Sequence, residues 1–387
     1  MADIDKLTAR HGKLAICLSA LLATPLVVVG AGAAERVTYR EAREKIPKRA
    51  LPDFWIGDVK GLSGRFAKVR RGTVRALAVT PGGRPMHLVA YGDREQVPHK
   101  ANFNSAIGAR EPNAYMDKPA RKKPVVFFVG PVHGHEVEAL TGLVNLIHIM
   151  ETGRDLRGTE QRRLRELGRQ CRLLIVPAGN PDGIARFEPR ALQGMDRDDL
   201  RFWGQGTWSD DTLCGWPGVK RQHPFVGDNV GFLGCYFNDA GINPMHDEFF
   251  APMGPEAPAI LKVAREEGPD LAVSFHSHEN KPAVLRPAYV PIETQEDILA
   301  LAKRYYGLLA KRGLPHGGLF EARPEGGSRP SPFNLTSALY HVSGASAFTF
   351  ECPHGIQGGC QVTFDEILEI QLTLYEAMLQ HEIEKKR

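Results

Sequence analysis

Four short apolar runs constrain what this chain can fold into. They cover residues 125–129, 171–177, 271–275 and 345–350, and each is bounded by Gly, Pro or polar residues. Segments with apolar residues at helical spacing lie between them. Buried strands that alternate with helices predict a parallel sheet with crossover connections. We therefore predict a single α/β domain with a mixed, mostly parallel twisted sheet and helices on both faces.

The rest of the chain contains further predicted elements. Residues 73–79 and 86–91 read as two strands joined by Pro81-Gly82-Gly83, a hairpin signal. Residues 93–124 and 312–333 are predicted loops. The segment 184–250 is the least regular, and a long irregular segment inside a compact domain is usually functional. Helical spacing predicts helices over residues 137–150, 158–167, 258–267, 292–309 and 364–380.

The amino terminus has the pattern of an export signal. Arg10 and Lys13 precede an apolar run over residues 14–29, and small residues follow up to Ala34. The alternative is an uncleaved membrane anchor, because the run is nearly long enough to span a bilayer. Pro25 and the small-residue end favour cleavage. We predict a signal peptide over 1–34, a leader segment over 35–69 and a catalytic domain over 70–387, with a secreted or periplasmic location and no stable membrane association after cleavage.

The charge pattern excludes some partners. The net charge is only +4, and the basic residues are scattered. Arg162, Arg163 and Arg165 fall in an amphipathic helix pattern, which is typical of a solvated face. We expect no nucleic-acid partner, and the sequence does not indicate an oligomeric state.

An exported chain could contain disulfides. Cys17 lies in the predicted signal, and an odd number of cysteines remains after it. In an oxidising compartment Cys214 could pair with Cys235, and Cys352 with Cys360. No cysteine pair has the spacing of a structural zinc site.

Polar groups that suit a metal stand at the ends of three predicted strands. His133 and Glu136 follow the run 125–129, His276 follows 271–275, and Glu351 ends 345–350. The carboxyl ends of parallel strands lie at one edge of a sheet, so these groups can converge. Two His and one Glu form a three-ligand zinc site with a fourth position for water, and Glu351 is a second carboxylate for proton transfer. The alternative for His133 and Glu136 alone is a charged turn that caps the next helix.

Four motifs in this order resemble those of the zinc carboxypeptidases, the funnelin-type M14 metallopeptidases. The resemblance extends over about residues 70 to 380. It implies the carboxypeptidase-like fold and a peptide or amide substrate. The motifs are His133-Gly134-His135-Glu136, Asn180-Pro181-Asp182-Gly183, His276-Ser277 and Thr349-Phe350-Glu351.

The resemblance also implies roles for individual residues. His133, Glu136 and His276 would bind one Zn²⁺ ion, and Glu351 would be the general base. His278 remains an alternative to His276 as the third ligand.

One family motif is altered in this chain. The family loop usually reads G-V-D-L-N-R, and its Asn-Arg pair grips the terminal carboxylate of the substrate. The nearest match here runs from Gly241 through Asn243 to His246, with Met245 and His246 at the pair, and the alternative match is 236–239. In both matches the arginine of the pair is missing, so the guanidinium that would make two parallel hydrogen bonds to a carboxylate (the arginine fork) is absent there. We predict that Asn243 and His246 bind substrate.

Two further roles follow from the resemblance. Arg221 is predicted to polarise the scissile carbonyl, with Arg201 and Arg197 as alternatives. Tyr340 is predicted to close over the substrate, and its alternative role is a packed aromatic.

These features predict a secreted zinc metallopeptidase of carboxypeptidase type that hydrolyses a peptide or amide bond. One alternative is a zinc amidase or deacylase that acts on cell-wall peptides or small N-acyl compounds. Another is a binding protein that kept the fold without catalysis, which retention of the whole ligand-and-base set disfavours. The chain has no G-x-S-x-G motif, which disfavours a serine hydrolase.

Overall fold

The predicted apolar runs form the centre of a seven-stranded sheet. The computed structural model describes residues 35–326 and 331–387. In chain order the strands are β1 (Thr73–Val79), β2 (Pro85–Tyr91), β3 (Val125–Val129), β4 (Arg172–Val176), β5 (Gly206–Trp208), β6 (Val230–Leu233), β7 (Leu271–His278), β8 (Ala283–Val284) and β9 (Ser346–Pro353). The strand order in the sheet is β1-β2-β4-β3-β7-β9-β8, and β5 and β6 form a separate pair.

The four central strands run parallel to one another. β3 pairs in parallel with β4 and β7, and β7 pairs in parallel with β9. The outer strands β1, β2 and β8 join by antiparallel pairing. The predicted mixed sheet with a parallel centre is confirmed. Its consequence is that the carboxyl ends of β3, β4, β7 and β9 share one edge.

Eleven helices connect and cover the strands of the described chain. The helices are α1 (Tyr39–Glu44), α2 (Leu62–Phe66), α3 (Phe103–Gly108), α4 (Glu138–Thr152), α5 (Arg162–Arg169), α6 (Pro181–Arg186), α7 (Arg197–Gln205), α8 (Glu256–Glu267), α9 (Ile292–Lys311), α10 (Leu335–Ser343) and α11 (Phe364–Lys385). Six of them, α1, α2, α3, α6, α7 and α10, were not predicted. The side chains of Asn102, Asp196 and Asn334 cap the first turns of α3, α7 and α10.

Helices cover both faces of the sheet, as predicted. Val126 and Phe128 of β3 point to the face that α4, α9 and α11 cover, and Phe127 points to the face of α8 and α10. Side chains of a strand alternate between faces, so a strand buried on both sides must be apolar throughout. This explains why the central strands appear as continuous apolar runs in the sequence.

The predicted leader contributes to the main core. Residues 35–387 form one compact unit. Within the leader, Phe54, Trp55, Leu62 and Phe66 are buried among the residues that α4 and α11 supply. The predicted signal peptide, residues 1–34, lies outside the described residues. Among the helices of the described ranges, none combines the length and hydropathy needed to cross a bilayer.

The cysteines that follow the predicted signal are all reduced. Cys171, Cys214, Cys235, Cys352 and Cys360 are free thiols. The two disulfides that the sequence allowed are therefore not formed in this structure.

Candidate active site

Two imidazoles and a carboxylate meet at the carboxyl edge of the sheet. His133 and Glu136 lie in the turn between β3 and α4, and His276 lies on β7. Nδ1 of His133 is 2.9 Å from Oε1 of Glu136 and 3.2 Å from Nδ1 of His276. Nδ1 of His276 is 3.0 Å from Oε2 of Glu136. One ligand atom from each residue lies within 4.8 Å of the others, so the three can hold one metal ion.

The chemistry of this donor set fits zinc. All three side chains are buried, and burial lowers the pKa of both His133 and His276 below the ordinary value. Each neutral imidazole has a nitrogen lone pair, and two such lone pairs cannot approach closely without a proton or a cation between them. Burial raises the pKa of the Glu136 carboxyl beside them, so its charged form is favoured by a cation in the site. Two neutral imidazoles and one carboxylate are a usual zinc ligand set that leaves a position open.

The Asn180-Pro181-Asp182-Gly183 motif holds the turn that carries His133 and Glu136. Nδ2 of Asn180 donates to the carbonyl of Val132 at 3.1 Å, and its Oδ1 accepts from the N–H of Gly183 at 2.9 Å. Gly134 packs directly on Gly183, because a Cβ at residue 134 would lie 2.0 Å from the Gly183 carbonyl carbon. The glycine is needed there for close approach of two backbones.

Asp182 ties the same motif to the β1–β2 hairpin. Its carboxylate accepts from Oγ1 of Thr80 at 2.5 Å, from the N–H of Gly82 at 2.9 Å and from Nη1 of Arg84 at 2.9 Å. Burial opposes the charge of Asp182, but these hydrogen bonds hold its pKa below the ordinary value. The motif is therefore a structural support behind the metal-binding turn.

Glu351 lies beside the third ligand. It is on β9, and its register partner on β7 is His276. Burial is the main cause that raises the pKa of the Glu351 carboxyl to about 8, and the charge of Glu136 adds to it, whereas His276 and Lys220 act in the opposite direction. A carboxyl with this geometry and pKa can take and return a proton near neutral pH.

The ligands and Glu351 line a cavity of about 570 Å³. Two apolar side chains on its wall are open to solvent: Trp216 is 62% exposed and Leu285 is 40% exposed. The charged and polar residues of the wall include Arg197, Arg201, Gln205, Lys220, His246, Glu279 and Asn334. The cavity therefore offers both apolar and ionic contacts to a ligand beside the metal-binding residues.

His246 is the one predicted substrate-binding residue that lines this cavity. Asn243 is buried elsewhere, and its Oδ1 accepts from the N–H of Met245 at 2.9 Å to cap the 3₁₀ helix Pro244–His246. Tyr340 of α10 packs edge-on against Phe103 with ring centroids 5.6 Å apart. Asn243 and Tyr340 thus have packing contacts that do not involve the cavity.

Of the three arginines that the sequence offered for polarising the scissile carbonyl, Arg197 and Arg201 line the cavity and Arg221 does not. Arg221 lies over the ring of Trp208 at 4.5 Å and faces a separate surface depression. Arg197 lines the cavity in an ion pair with Glu279 at 2.7 Å. Arg201, on the same wall, is 3.5 Å from Asp198.

The alternative zinc ligand His278 is engaged outside the ligand cluster. Its Nε2 lies 2.9 Å from the carbonyl oxygen of Lys281. His135 is buried next to Glu136, with its Nε2 3.7 Å from Oε1. Its ring centroid is 5.8 Å from that of His354, whose Nδ1 is 3.0 Å from Oε1 of the buried Glu138. His135, His354 and Glu138 thus form a buried polar layer next to Glu136.

Sequence reasoning missed several residues of the cavity, and two of them contact predicted site residues. Lys220 places Nζ 2.9 Å from Nε2 of His246, and Tyr236 packs edge-on against His133 with ring centroids 3.9 Å apart. Lys220 directly precedes Arg221, which the sequence analysis assigned to the site. The signal that could have identified Lys220 was therefore a second cation in the same loop. Tyr236 begins the alternative match to the altered motif, residues 236–239, and this position was the available signal.

Comparison with known protein families identifies the family of this chain. The sequence profile of the family described as "Zinc carboxypeptidase" matches residues 70–356. No curated protein sequence matches the chain.

Solved structures of metallo-carboxypeptidases resemble it at low sequence identity. That from Burkholderia cenocepacia is 16% identical, with a TM-score of 0.48 and coverage of 83% of this chain and 67% of that one. The one from Pseudomonas aeruginosa is 15% identical, with a TM-score of 0.46 and coverage of 84% and 68%. Carboxypeptidase A from Helicoverpa armigera is 14% identical, with a TM-score of 0.45 and coverage of 91% and 74%. From the family profile, which covers most of the chain, we conclude that this protein belongs to the zinc carboxypeptidase family of metallopeptidases.

Proposed function

We propose that this protein is an exported zinc-dependent hydrolase of carboxypeptidase type that cleaves a peptide or amide bond. The observation that supports this most is the register pairing of His276 with Glu351 inside the cavity. It puts a carboxyl group next to a three-residue metal site on a rigid pair of strands. That is the arrangement that metal-assisted amide hydrolysis requires.

Each residue of the site has a separate role in this proposal. His133, Glu136 and His276 would hold the zinc ion. When bound, zinc supplies a Lewis acid that polarises the substrate carbonyl and makes water more acidic. Glu351 accepts the proton of the attacking water and returns it to the leaving nitrogen. The low exposure of the ligands excludes bulk water and strengthens these charge interactions.

A second candidate is an amidase or deacylase that acts on cell-wall peptides or small N-acyl compounds. The altered fork motif favours it. Met245 is buried and His246 has an imidazole where a guanidinium would give two parallel hydrogen bonds to a carboxylate. We therefore do not expect the enzyme to act strictly on peptides with a free C-terminus.

A peptide panel tests both candidates. Each peptide is offered with a free and with an amidated C-terminus, alongside muropeptides and N-acyl amino acids, and the products are identified by mass spectrometry. Chelator-sensitive removal of one C-terminal residue from free-acid peptides alone supports the carboxypeptidase. Chelator-sensitive cleavage that ignores the terminal carboxylate supports the amidase. Failure to cleave any amide with zinc bound contradicts both.

Export is a separate part of the proposal and rests on residues 1–34. Expression of the full chain followed by amino-terminal sequencing tests it. A mature protein outside the cytoplasm that begins near Glu35 agrees with a cleaved signal. Full-length protein that stays with the membrane would instead favour the anchor.

A further inference from the structure

An ammonium group stands beside the metal-binding residues. Lys220 lies in the 3₁₀ helix Gly218–Arg221, and its Nζ is 2.9 Å from Nε2 of His246. Both residues line the cavity that contains the three ligands and Glu351. The cavity therefore contains an ammonium and an imidazole side by side next to the metal-binding residues.

Lys220 differs from the other cations of the cavity wall. Arg197 is paired with Glu279 at 2.7 Å, and Arg201 lies near Asp198 at 3.5 Å. Within residues 35–326 and 331–387, no carboxylate lies within ion-pair distance of Lys220. Its positive charge is thus available to a ligand that enters the cavity.

Two neighbours position the Lys220 side chain. The indole of Trp216 lies 5.1 Å from Nζ, a cation–π distance. Nε2 of His246 can accept one N–H of the ammonium, which leaves two donors free. Lys220 is exposed to solvent, so a soluble ligand can reach it.

We propose that Lys220, positioned by His246, binds an anionic group of the substrate beside the metal centre. The inference rests on the proposed function and specifies its substrate class: an amide with a negatively charged group close to the scissile bond. A lysine ammonium is a point charge with rotatable donors, whereas an arginine matches the plane of a carboxylate. The site therefore accepts a tetrahedral sulfonate about as well as a planar carboxylate.

Binding of three compounds on one scaffold tests this assignment. N-benzoylglycine carries a carboxylate, N-benzoyltaurine a sulfonate, and N-benzoylglycinamide no charge. Calorimetry on the full-length protein gives the Kd of each, in the metal-free wild type and, with zinc bound, in the Glu351→Gln background, where hydrolysis does not interfere. We expect the two anions to bind within about threefold of each other and at least about tenfold more tightly than the amide, the size of one charge-assisted hydrogen bond. Sulfonates are poor zinc ligands, so N-benzoyltaurine reports on Lys220 most directly.

Substitutions identify the residue responsible. Lys220→Met should abolish the preference for anions in both metal states, and Lys220→Arg should keep it while favouring carboxylate over sulfonate. His246→Gln retains an acceptor and should keep the preference, whereas His246→Leu should weaken it. Lys262→Met, which removes an exposed lysine of α8, is the control for net charge. Zinc content and Tm verify that each variant is folded.

The outcomes separate this assignment from the proposed function. Loss of the preference in Lys220→Met supports the assignment even if no amide is hydrolysed, which would contradict only the function. The assignment is wrong if Lys220→Met keeps the preference or if Arg221→Gln is the variant that loses it. It is also wrong if wild-type protein binds N-benzoylglycinamide as tightly as the anions.

Discussion

His276 and Glu351 are register partners in the parallel pair of β7 and β9. Neighbouring strands lie about 4.8 Å apart, so the backbone ladder sets the separation of the proposed third metal ligand and the proposed base. The ladder continues two residues further, to His278 and Pro353. The spacing of ligand and base is thus a property of rigid elements and does not depend on a loop.

Replacing Glu351 by Gln should remove activity and leave zinc bound. The amide keeps the size of the carboxyl but cannot accept the proton of water, and general base catalysis contributes about 10²- to 10⁴-fold. Hydrolysis rates on the substrate found in the panel, together with metal analysis, check this. Glu44→Gln, an exposed change on α1, is the control. Activity within a few fold of wild type would contradict the role of Glu351.

Replacing His276 by Gln should release zinc, whereas His278→Gln should retain it. Both residues lie on β7, but only His276 belongs to the cluster of ligand atoms, and His278 contacts the carbonyl of Lys281. Loss of a direct ligand should weaken zinc binding by more than the about 10- to 100-fold typical of residues that support ligands. Zinc titration with a competing chelator measures it. The reverse order of effects would make His278 the ligand.

Alanine at two glycines should have opposite effects on stability. At Gly134 a Cβ would overlap the backbone of Gly183, so we expect a loss of about 1–3 kcal/mol in the free energy of unfolding and weaker zinc binding. At Gly307, inside α9, a Cβ would meet nothing within 4 Å, and Ala should stabilise the protein by about 0.5–1 kcal/mol. Urea unfolding of both variants checks this. Equal effects would mean that the turn at Gly134 can relax.

Replacing Glu256 by Gln should stabilise the protein at pH 8 but hardly at pH 5. Burial is the main cause that raises the pKa of Glu256 to about 7, while Asn238, 3.1 Å from both carboxylate oxygens, opposes it. The folded state then binds more protons than the unfolded state between about pH 4.5 and 7, so this group reduces stability as pH rises through that window.

The expected gain for Glu256→Gln at pH 8 is about 1–3 kcal/mol in the free energy of unfolding. Denaturant titrations at the two pH values measure it. A gain of the same size at both would show that the charge of Glu256 is not the cause.

The linear pattern of the chain was sufficient for the centre of the sheet and for the convergence of the candidate metal ligands. Strands buried on both faces must be apolar throughout, so their ends are visible where a polar residue first appears. His133, His276 and Glu351 each follow or end such a run, and topology brings those ends to one edge. Their convergence needed no knowledge of loop structure.

Only the tertiary structure decided which residues of the irregular segment face the cavity. Lys220 and Arg221 are adjacent cations in one turn, yet Lys220 reaches His246 while Arg221 lies on Trp208. Asn243 likewise caps a short helix and does not reach the ligands. Successive side chains of a turn point in different directions, and packing against distant residues selects the direction. That selection depends on contacts between segments far apart in the chain, which hydrophobic periodicity does not record.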